Sequence, residues 1–315
     1  MKINLNQEIK AAKHIAILGH VKPDGDCIGS ATALYHYIGQ VNPAAARHII
    51  LDTFGGNFEH ISVMNVIQHD IPETSFDLCF CMDCASRNRL GRYAPIFDRA
   101  KRTVVIDHHV TGEPFGDVMH VVPHKSSTCE VLYDLMDRDL IDRETAVSLY
   151  TGLISDTGVF KYASTTSATM RMAAALLEKD IPFTDIIDRS YFEKTYKVNR
   201  FIAKAVLNSK LALDGRLIYT VVSREMMREN DIQRTELEGI VEQLRNTEGA
   251  EVALFIYELS HNAYKVSLRS KHYVDVAAVA AVFNGGGHIR AAGCTLKGEF
   301  DDLFPALVNE IGKRL

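Results

Sequence analysis

Gly19-His-Val-Lys-Pro-Asp-Gly-Asp-Cys-Ile-Gly-Ser30 joins two different kinds of sequence. Before it, His14–Gly19 is a short apolar run that reads as a buried strand. After it, Ile28–Gln40 has a helical pattern, with Gly29, Ser30, Ala31 and Ala33 small enough for close packing. His20, Asp24 and Asp26 therefore fall on a strand-to-helix turn, three candidate metal ligands within seven residues. Pro23 and Gly25 break helix and strand alike, which frees the backbone to aim the flanking carboxylates at one point. The carboxyl end of such a strand is where open α/β sheets place their chemistry. A metal site is the first expectation.

The same rhythm continues outward. Arg47–Thr53, Asp77–Asp83, Thr103–Asp107 and Asp117–Val122 read as strands, and Thr128–Arg138, Glu144–Leu153 and Ser167–Lys179 as helices. Strands alternating with helices predict an α/β domain over 1–185, built on a doubly wound, mostly parallel sheet. Residues 186–213, mixed in charge with apolar residues at roughly helical spacing, are expected to form a linker helix. Beyond Leu213-Asp-Gly215 the pattern restarts with a strand at Arg216–Val222 and a hairpin of Glu251–Leu259 with Ala263–Arg269. Helical patterns at Glu236–Asn246, Val274–Phe283 and Leu303–Lys313 complete a smaller α+β domain over 214–315.

The 315 residues are 47% hydrophobic and 24% charged, enough core material for two globular domains. A net charge of −5 argues against a protein that coats long duplex nucleic acid. It leaves room for a small anionic substrate, because a metal site brings its own positive charge. With no signal-like N-terminus, no apolar run near membrane-spanning length and no disulfide spacing among the six cysteines, the chain is expected to be cytoplasmic, without a membrane partner.

Four clusters each fall near the end of an element: His20/Asp24/Asp26, Asp83, Asp107-His-His109, and Asp156 after an apolar helix. A lone Asp past a strand is most often a turn former, and a His-His pair most often an accident. Four clusters converging on one sheet edge are hard to assign to turns. Carboxylates mixed with imidazole suit Mn²⁺ or Mg²⁺ better than structural zinc. Four converging carboxylates repel, each pair by about 4 kcal/mol at ~4 Å and an effective dielectric near 20. Two divalent cations cancel that charge, which predicts a two-metal site with one carboxylate bridging ions ~3.5–4 Å apart. In the second domain, Gly285-Gly-Gly287 lets backbone amides approach a phosphate, and Arg269 and His288 supply donors.

These motifs, in this order, resemble the four motifs of the DHH phosphoesterase superfamily. Val266-Ser-Leu-Arg-Ser270, Asn284-Gly-Gly-Gly-His288 and Ala291-Ala-Gly293 resemble its DHH-associated C-terminal domain. The resemblance spans nearly the whole chain and points to the short, two-domain subgroup of oligoribonucleases and 3′-phosphoadenosine 5′-phosphate phosphatases. It implies that His20, Asp24 and Asp83 hold one metal and that Asp26, Asp83, His108 and Asp156 hold the other. Two Mn²⁺ ions are expected, with Mg²⁺ as the alternative. Asp107 would orient a histidine, and His109 would serve as donor or general acid at the scissile phosphate. Arg269, Ser270, Gly285, Gly286, Gly287 and His288 would hold substrate from across an interdomain cleft. Lys161 departs from the arginine found in many relatives, and Ser155 from their usual threonine.

The function expected is hydrolysis of very short oligoribonucleotides and of 3′-phosphoadenosine 5′-phosphate. Cyclic dinucleotides or their linear products are the alternative within the class, and a non-catalytic nucleotide-binding module the alternative outside it. A homodimer is expected from the resemblance alone.

Overall fold

A computed structural model of the chain describes residues 3–109 and 114–315, which divide at Glu193 and Lys194 into two compact units. The first unit opens with helix α1 (Leu5–Ala11) and strand β1 (His14–Gly19). Helix α2 (Gly25–Val41) and strands β2 (Ala46–Ile50), β3 (Ile67–Gln68) and β4 (Leu78–Met82) come next. After α3 (Ala94–Arg99), β5 (Thr103–Asp107) and β6 (Val118–Val121) come the helices α4 (Thr128–Leu135), α5 (Arg143–Thr157), α6 (Ser167–Leu177) and α7 (Phe183–Ile187).

Every pairing in the first sheet is parallel, and the strand order is β3-β2-β1-β4-β5-β6. The chain thus winds outward from β1 in one direction and from β4 in the other. The switch point lies between β1 and β4, where a crevice opens at the carboxyl ends of the strands. Side chains alternate across the sheet. Ile15, Ile17, Phe80, Met82, Val104 and Ile106 enter one apolar core, shared with α2, α4 and α5. Ala16, Leu18, Cys79, Cys81 and Val105 enter the other, with Leu90 and Phe97. Burial on both faces explains why these strands read as unbroken apolar runs. The two-residue β3 is too short to show a period.

Helix α2 begins at Gly25, three residues earlier than the apolar pattern predicts. Asp24 is its N-cap, accepting from Asp26 N at 3.2 Å and Cys27 N at 3.1 Å. Gly25 is thus the first residue of the helix and not a break before it. A Cβ there would come within 2.6 Å of Ser155 Oγ, so glycine is required for space.

The second unit contains α8 (Tyr196–Leu207), β7 (Lys210–Ala212), β8 (Leu217–Val222), α9 (Arg224–Glu229), α10 (Ile240–Arg245) and β9 (Val252–Ser260). It ends with β10 (Ala263–Ser270), α11 (Val276–Val282), β11 (Gly286–His288), β12 (Ala291–Lys297) and α12 (Phe300–Gly312). The strand order is β11-β12-β10-β9-β8-β7, antiparallel except between β8 and β9. Val252, Leu254 and Ile256 pack toward Leu307 and Ile311, and Ala253 and Phe255 toward Ile240 and Leu244.

Residues 186–213 are not one continuous helix. The chain passes from α7 through a wide turn, Asp188–Phe192, before α8 begins, and β7 follows it. Val198, Phe201 and Ala205 bury α8 against the second unit's own core, because its apolar residues recur at three- and four-residue spacing.

Candidate metal centre

Helix α2 crosses α5 closely enough that a Cβ on Gly29 would lie 2.6 Å from the Ser148 carbonyl oxygen. A Cβ on Gly152 would lie 2.9 Å from Asp26 Oδ1. This close crossing brings Asp26, in the first turn of α2, and Asp156, in the last turn of α5, to the same end of the sheet. Asp83 follows β4 with φ +56°, in the left-handed region, a conformation costing about 1 kcal/mol for a non-glycine residue. Its N–H donates to the Ile106 carbonyl at 3.0 Å, fixing the turn that points its carboxylate into the crevice.

The two oxygens of Asp83 face in different directions. Oδ2 lies 3.5 Å from His20 Nε2. Oδ1 lies 3.7 Å from His108 Nε2. Around His20 Nε2 stands also Asp24 Oδ1 at 3.7 Å. Around His108 Nε2 stand Asp156 Oδ2 at 3.1 Å and Asp26 Oδ2 at 3.9 Å. Two oxygens or nitrogens that share an octahedral Mg²⁺-like ion at 2.0–2.1 Å lie roughly 3 Å apart. Separations of 3.1–3.9 Å therefore need only small shifts to close on a cation. His20, Cys27 and Asp83 form one group with ligand atoms mutually within 4.8 Å, and Asp26, His108 and Asp156 another. Cys27 is the member the sequence reading omits. Burial pushes its thiol well above its ordinary pKa, which disfavours the thiolate form.

The two histidines beside the carboxylates both turn Nδ1 toward a backbone carbonyl and Nε2 toward the carboxylates. His20 Nδ1 lies 3.0 Å from the Val21 carbonyl oxygen, and His108 Nδ1 lies 3.2 Å from that of Lys125. At His108, Nδ1–H donated to that carbonyl leaves the lone pair on Nε2, the arrangement of a metal-ligating imidazole. His109 is different: its Nδ1 lies 2.7 Å from Asp107 Oδ1. The histidine oriented by Asp107 is therefore His109.

Electrostatics point the same way. Burial opposes charge on His20, but Asp24 and Asp83 outweigh it and raise its pKa to about 10. His108 reaches about 10 against burial through Asp156, Asp26 and Asp83. Burial, reinforced by the charges of Asp83 and Asp156, pushes Asp26 well above the ordinary carboxylate range. Burial, with Asp24 and Asp83, raises Asp156 to about 6. A cluster that raises both imidazoles and two carboxylates is short of positive charge, which divalent cations supply.

Two contributors were missed from the sequence. Arg89 is exposed, yet its Nη2 reaches within 2.9 Å of His20 Nδ1. Thr128 opens α4 and touches both central carboxylates. Its N–H donates to Asp26 Oδ2 at 2.6 Å, and its Oγ1 donates to Asp83 Oδ1 at 2.9 Å. The available signal was Ser127-Thr-Cys-Glu130, a capping-box pattern that marks a helix start.

In the second unit, Arg269 Nε donates to Glu242 Oε1 at 2.5 Å. Ser270 is buried and its hydroxyl donates to the Val274 carbonyl at 2.7 Å, so this hydroxyl fixes a turn and is not presented to substrate. Gly285 and Gly287 are explained by close approach to β12. A Cβ would lie 2.3 Å from the Gly293 carbonyl oxygen in the first case and 2.5 Å from that of Ala291 in the second. Gly286 faces open space, and Gly286, Gly287 and His288 form an exposed edge strand, not a compact nest. Lys161 is exposed on the turn after α5.

Residues 14–153 match the family model described as "DHH family, N-terminal domain", and residues 214–315 match the DHHA1 domain. The chain belongs to the DHH family. Among similar DHH proteins, the bifunctional oligoribonuclease and PAP phosphatase NrnA of Thermus thermophilus is 28% identical over 96% of this chain and 90% of its own length. The protein of the same name from Bacillus subtilis is 24% identical over 94% of this chain and 93% of its own. The crystal structure of an exopolyphosphatase-related protein from Bacteroides fragilis superposes with a TM-score of 0.90 at 26% identity, covering 98% and 94% of the two chains. The doubly wound first unit and its DHHA1 partner are thus the expected DHH architecture. Among the described residues, no helix is long and apolar enough to cross a membrane.

Proposed function

We propose that this chain is a two-metal phosphoesterase, most active on oligoribonucleotides of two to five nucleotides and on 3′-phosphoadenosine 5′-phosphate. The observation that carries the reading is the placement of Asp83, one oxygen toward His20 and the other toward His108, as a bridging carboxylate requires. The names of the nearly full-length relatives support the substrate class.

His20, Asp24 and Asp83 would hold one ion, and Asp26, Asp83, His108 and Asp156 the other, with Mn²⁺ as the resident metal. Bound divalent cations supply Lewis acidity and lower the pKa of water, making a hydroxide nucleophile at neutral pH. The protein does the rest. His109 has Nδ1 committed to Asp107, so proton delivery to the leaving oxygen falls to Nε2. Asp107 holds the ring in position, and its hydrogen bond raises the pKa of His109, keeping the proton available for donation. Arg269, His288 and the amide of Gly286 would bind substrate phosphate in the second unit. All of this chemistry is expected in the cytoplasm.

Purified protein with Mn²⁺ would be offered RNA of two to five nucleotides, 3′-phosphoadenosine 5′-phosphate, cyclic di-adenylate and long single-stranded DNA. Turnover of the first two is the expected result. Turnover of none removes the enzyme reading, and preference for the cyclic dinucleotide or the long strand removes the substrate class.

A further inference from the structure

The segment 125–130 touches three of the residues assigned to the metal centre. The Lys125 carbonyl faces His108 Nδ1. The N–H groups of Thr128 and Cys129 donate to the two oxygens of Asp26, at 2.6 and 3.0 Å. The Thr128 hydroxyl donates to Asp83 Oδ1 at 2.9 Å. Ser126, Ser127, Thr128 and Glu130 are all at most 2% exposed, so the segment is part of the core.

What holds this segment in place is Glu130. Its carboxylate accepts from Ser126 N at 3.0 Å, Ser126 Oγ at 2.6 Å and Thr169 Oγ1 at 3.1 Å, and from Lys125 Nζ at 3.0 Å. Ser127 Oγ in turn accepts from Glu130 N at 3.0 Å. A buried, fully hydrogen-bonded network of this kind has little freedom to move.

We infer that Thr128 is a positioning residue for the metal centre: its hydroxyl fixes the rotation of the Asp83 carboxylate, and so decides which oxygen each cation meets. Asp83 needs such a device. Its backbone fixes only where the carboxylate begins, and rotation about the last side-chain bond would exchange or misalign the two oxygens. A carboxylate oxygen has a second lone pair, so Oδ1 can accept the Thr128 hydroxyl and still ligate. The inference rests on the two-metal reading, and the test separates the two.

Mn²⁺ binding would be titrated calorimetrically on the metal-stripped full chain, beside kcat and KM for a dinucleotide, in wild type, Thr128→Val and Thr128→Ser. Thr128→Val keeps the shape and loses the donor. It is expected to weaken Mn²⁺ binding 10–100-fold and to lower kcat with little change in KM. Thr128→Ser keeps the hydroxyl and should recover the Mn²⁺ affinity. Wild-type affinity and kcat in Thr128→Val would overturn the inference, and so would equal losses in Thr128→Val and Thr128→Ser, since shape and not the hydroxyl would then matter. Should valine prevent folding, Thr128→Ala carries the same expectation with no added volume. No Mn²⁺ uptake by wild type would instead defeat the two-metal reading itself.

Discussion

Asp83 and His20 face each other across 3.5 Å through a single carboxylate oxygen, Oδ2, leaving Oδ1 for the opposite side, 3.7 Å from His108. This division is what the proposed two-metal site would use. The chain builds it from the carboxyl ends of adjacent strands, β1 for His20, β4 for Asp83 and β5 for His108, so strand spacing sets the separation of the two histidines. A bridging carboxylate belongs on the middle strand, and that is where Asp83 stands.

His109 and His108 are neighbours in sequence with different roles, and the difference is testable. His109→Ala is expected to lower kcat 10²- to 10⁴-fold while Mn²⁺ affinity changes little, since its Nδ1 is bound to Asp107. Steady-state kinetics beside calorimetric Mn²⁺ titration would check it. A loss of Mn²⁺ affinity matching the loss of kcat would make His109 a ligand instead.

Gly152 is where α5 leaves room for the site. A Cβ there would lie 2.3 Å from Cys129 Sγ and 2.9 Å from Asp26 Oδ1. Gly152→Ala should cost about 1–3 kcal/mol through overpacking. Because the strain falls on Asp26 directly, Mn²⁺ affinity should fall as well. Thermal unfolding of the metal-stripped and Mn²⁺-loaded variant would measure both effects. Unchanged stability and Mn²⁺ affinity would mean the helices separate freely.

The candidate ligands of the proposed centre stand out in the sequence because they sit where apolar runs give way to Asp and His, His20, Asp83 and His108 at strand ends and Asp156 near the end of α5. His14–Gly19 and Thr103–Asp107 have the bounds expected of them. What stayed hidden were contacts between segments far apart in the chain. Thr128 is 45 residues from Asp83, and no local pattern links them. The membership of α8 was hidden for a similar reason: an amphipathic helix shows that it has a partner, not which one. The glycine triplet was misleading in another way. Close approach to a strand and close approach to a phosphate both require glycine, and the pairing with β12 accounts for Gly285 and Gly287.

Glu251 holds the turn after β10 by accepting from the backbone of His272, Tyr273 and Val274, at 3.0, 2.8 and 3.0 Å. Burial works against its charge, but these donors hold its pKa below the ordinary value of 4.5. A depressed folded pKa gives stability that is present above pH 4.5 and is lost as pH falls through the folded value. Glu251→Gln should therefore destabilise the second unit by about 1.5–3 kcal/mol at pH 7. The gap should narrow below pH 4.5. Urea unfolding of the full chain at pH 7 and pH 3.5 would show it, and an equal gap at both would mean that ionisation of Glu251 is not what holds the turn.

Arg269 is the cation of the second unit proposed to meet substrate phosphate, although Glu242 already engages its Nε. Arg269→Ala should raise KM about tenfold, the size of one charged hydrogen bond, with kcat nearly unchanged. An unchanged KM would leave Arg269 a partner of Glu242 and nothing more.

The most direct test of the two-metal centre is electron paramagnetic resonance of the Mn²⁺-loaded protein, wild type beside Asp83→Asn, with the bound metal counted. Two Mn²⁺ per chain with an exchange-coupled spectrum, replaced in Asp83→Asn by an uncoupled signal and loss of turnover, is the expected result. One Mn²⁺ per chain with an isolated six-line spectrum in wild type would contradict it.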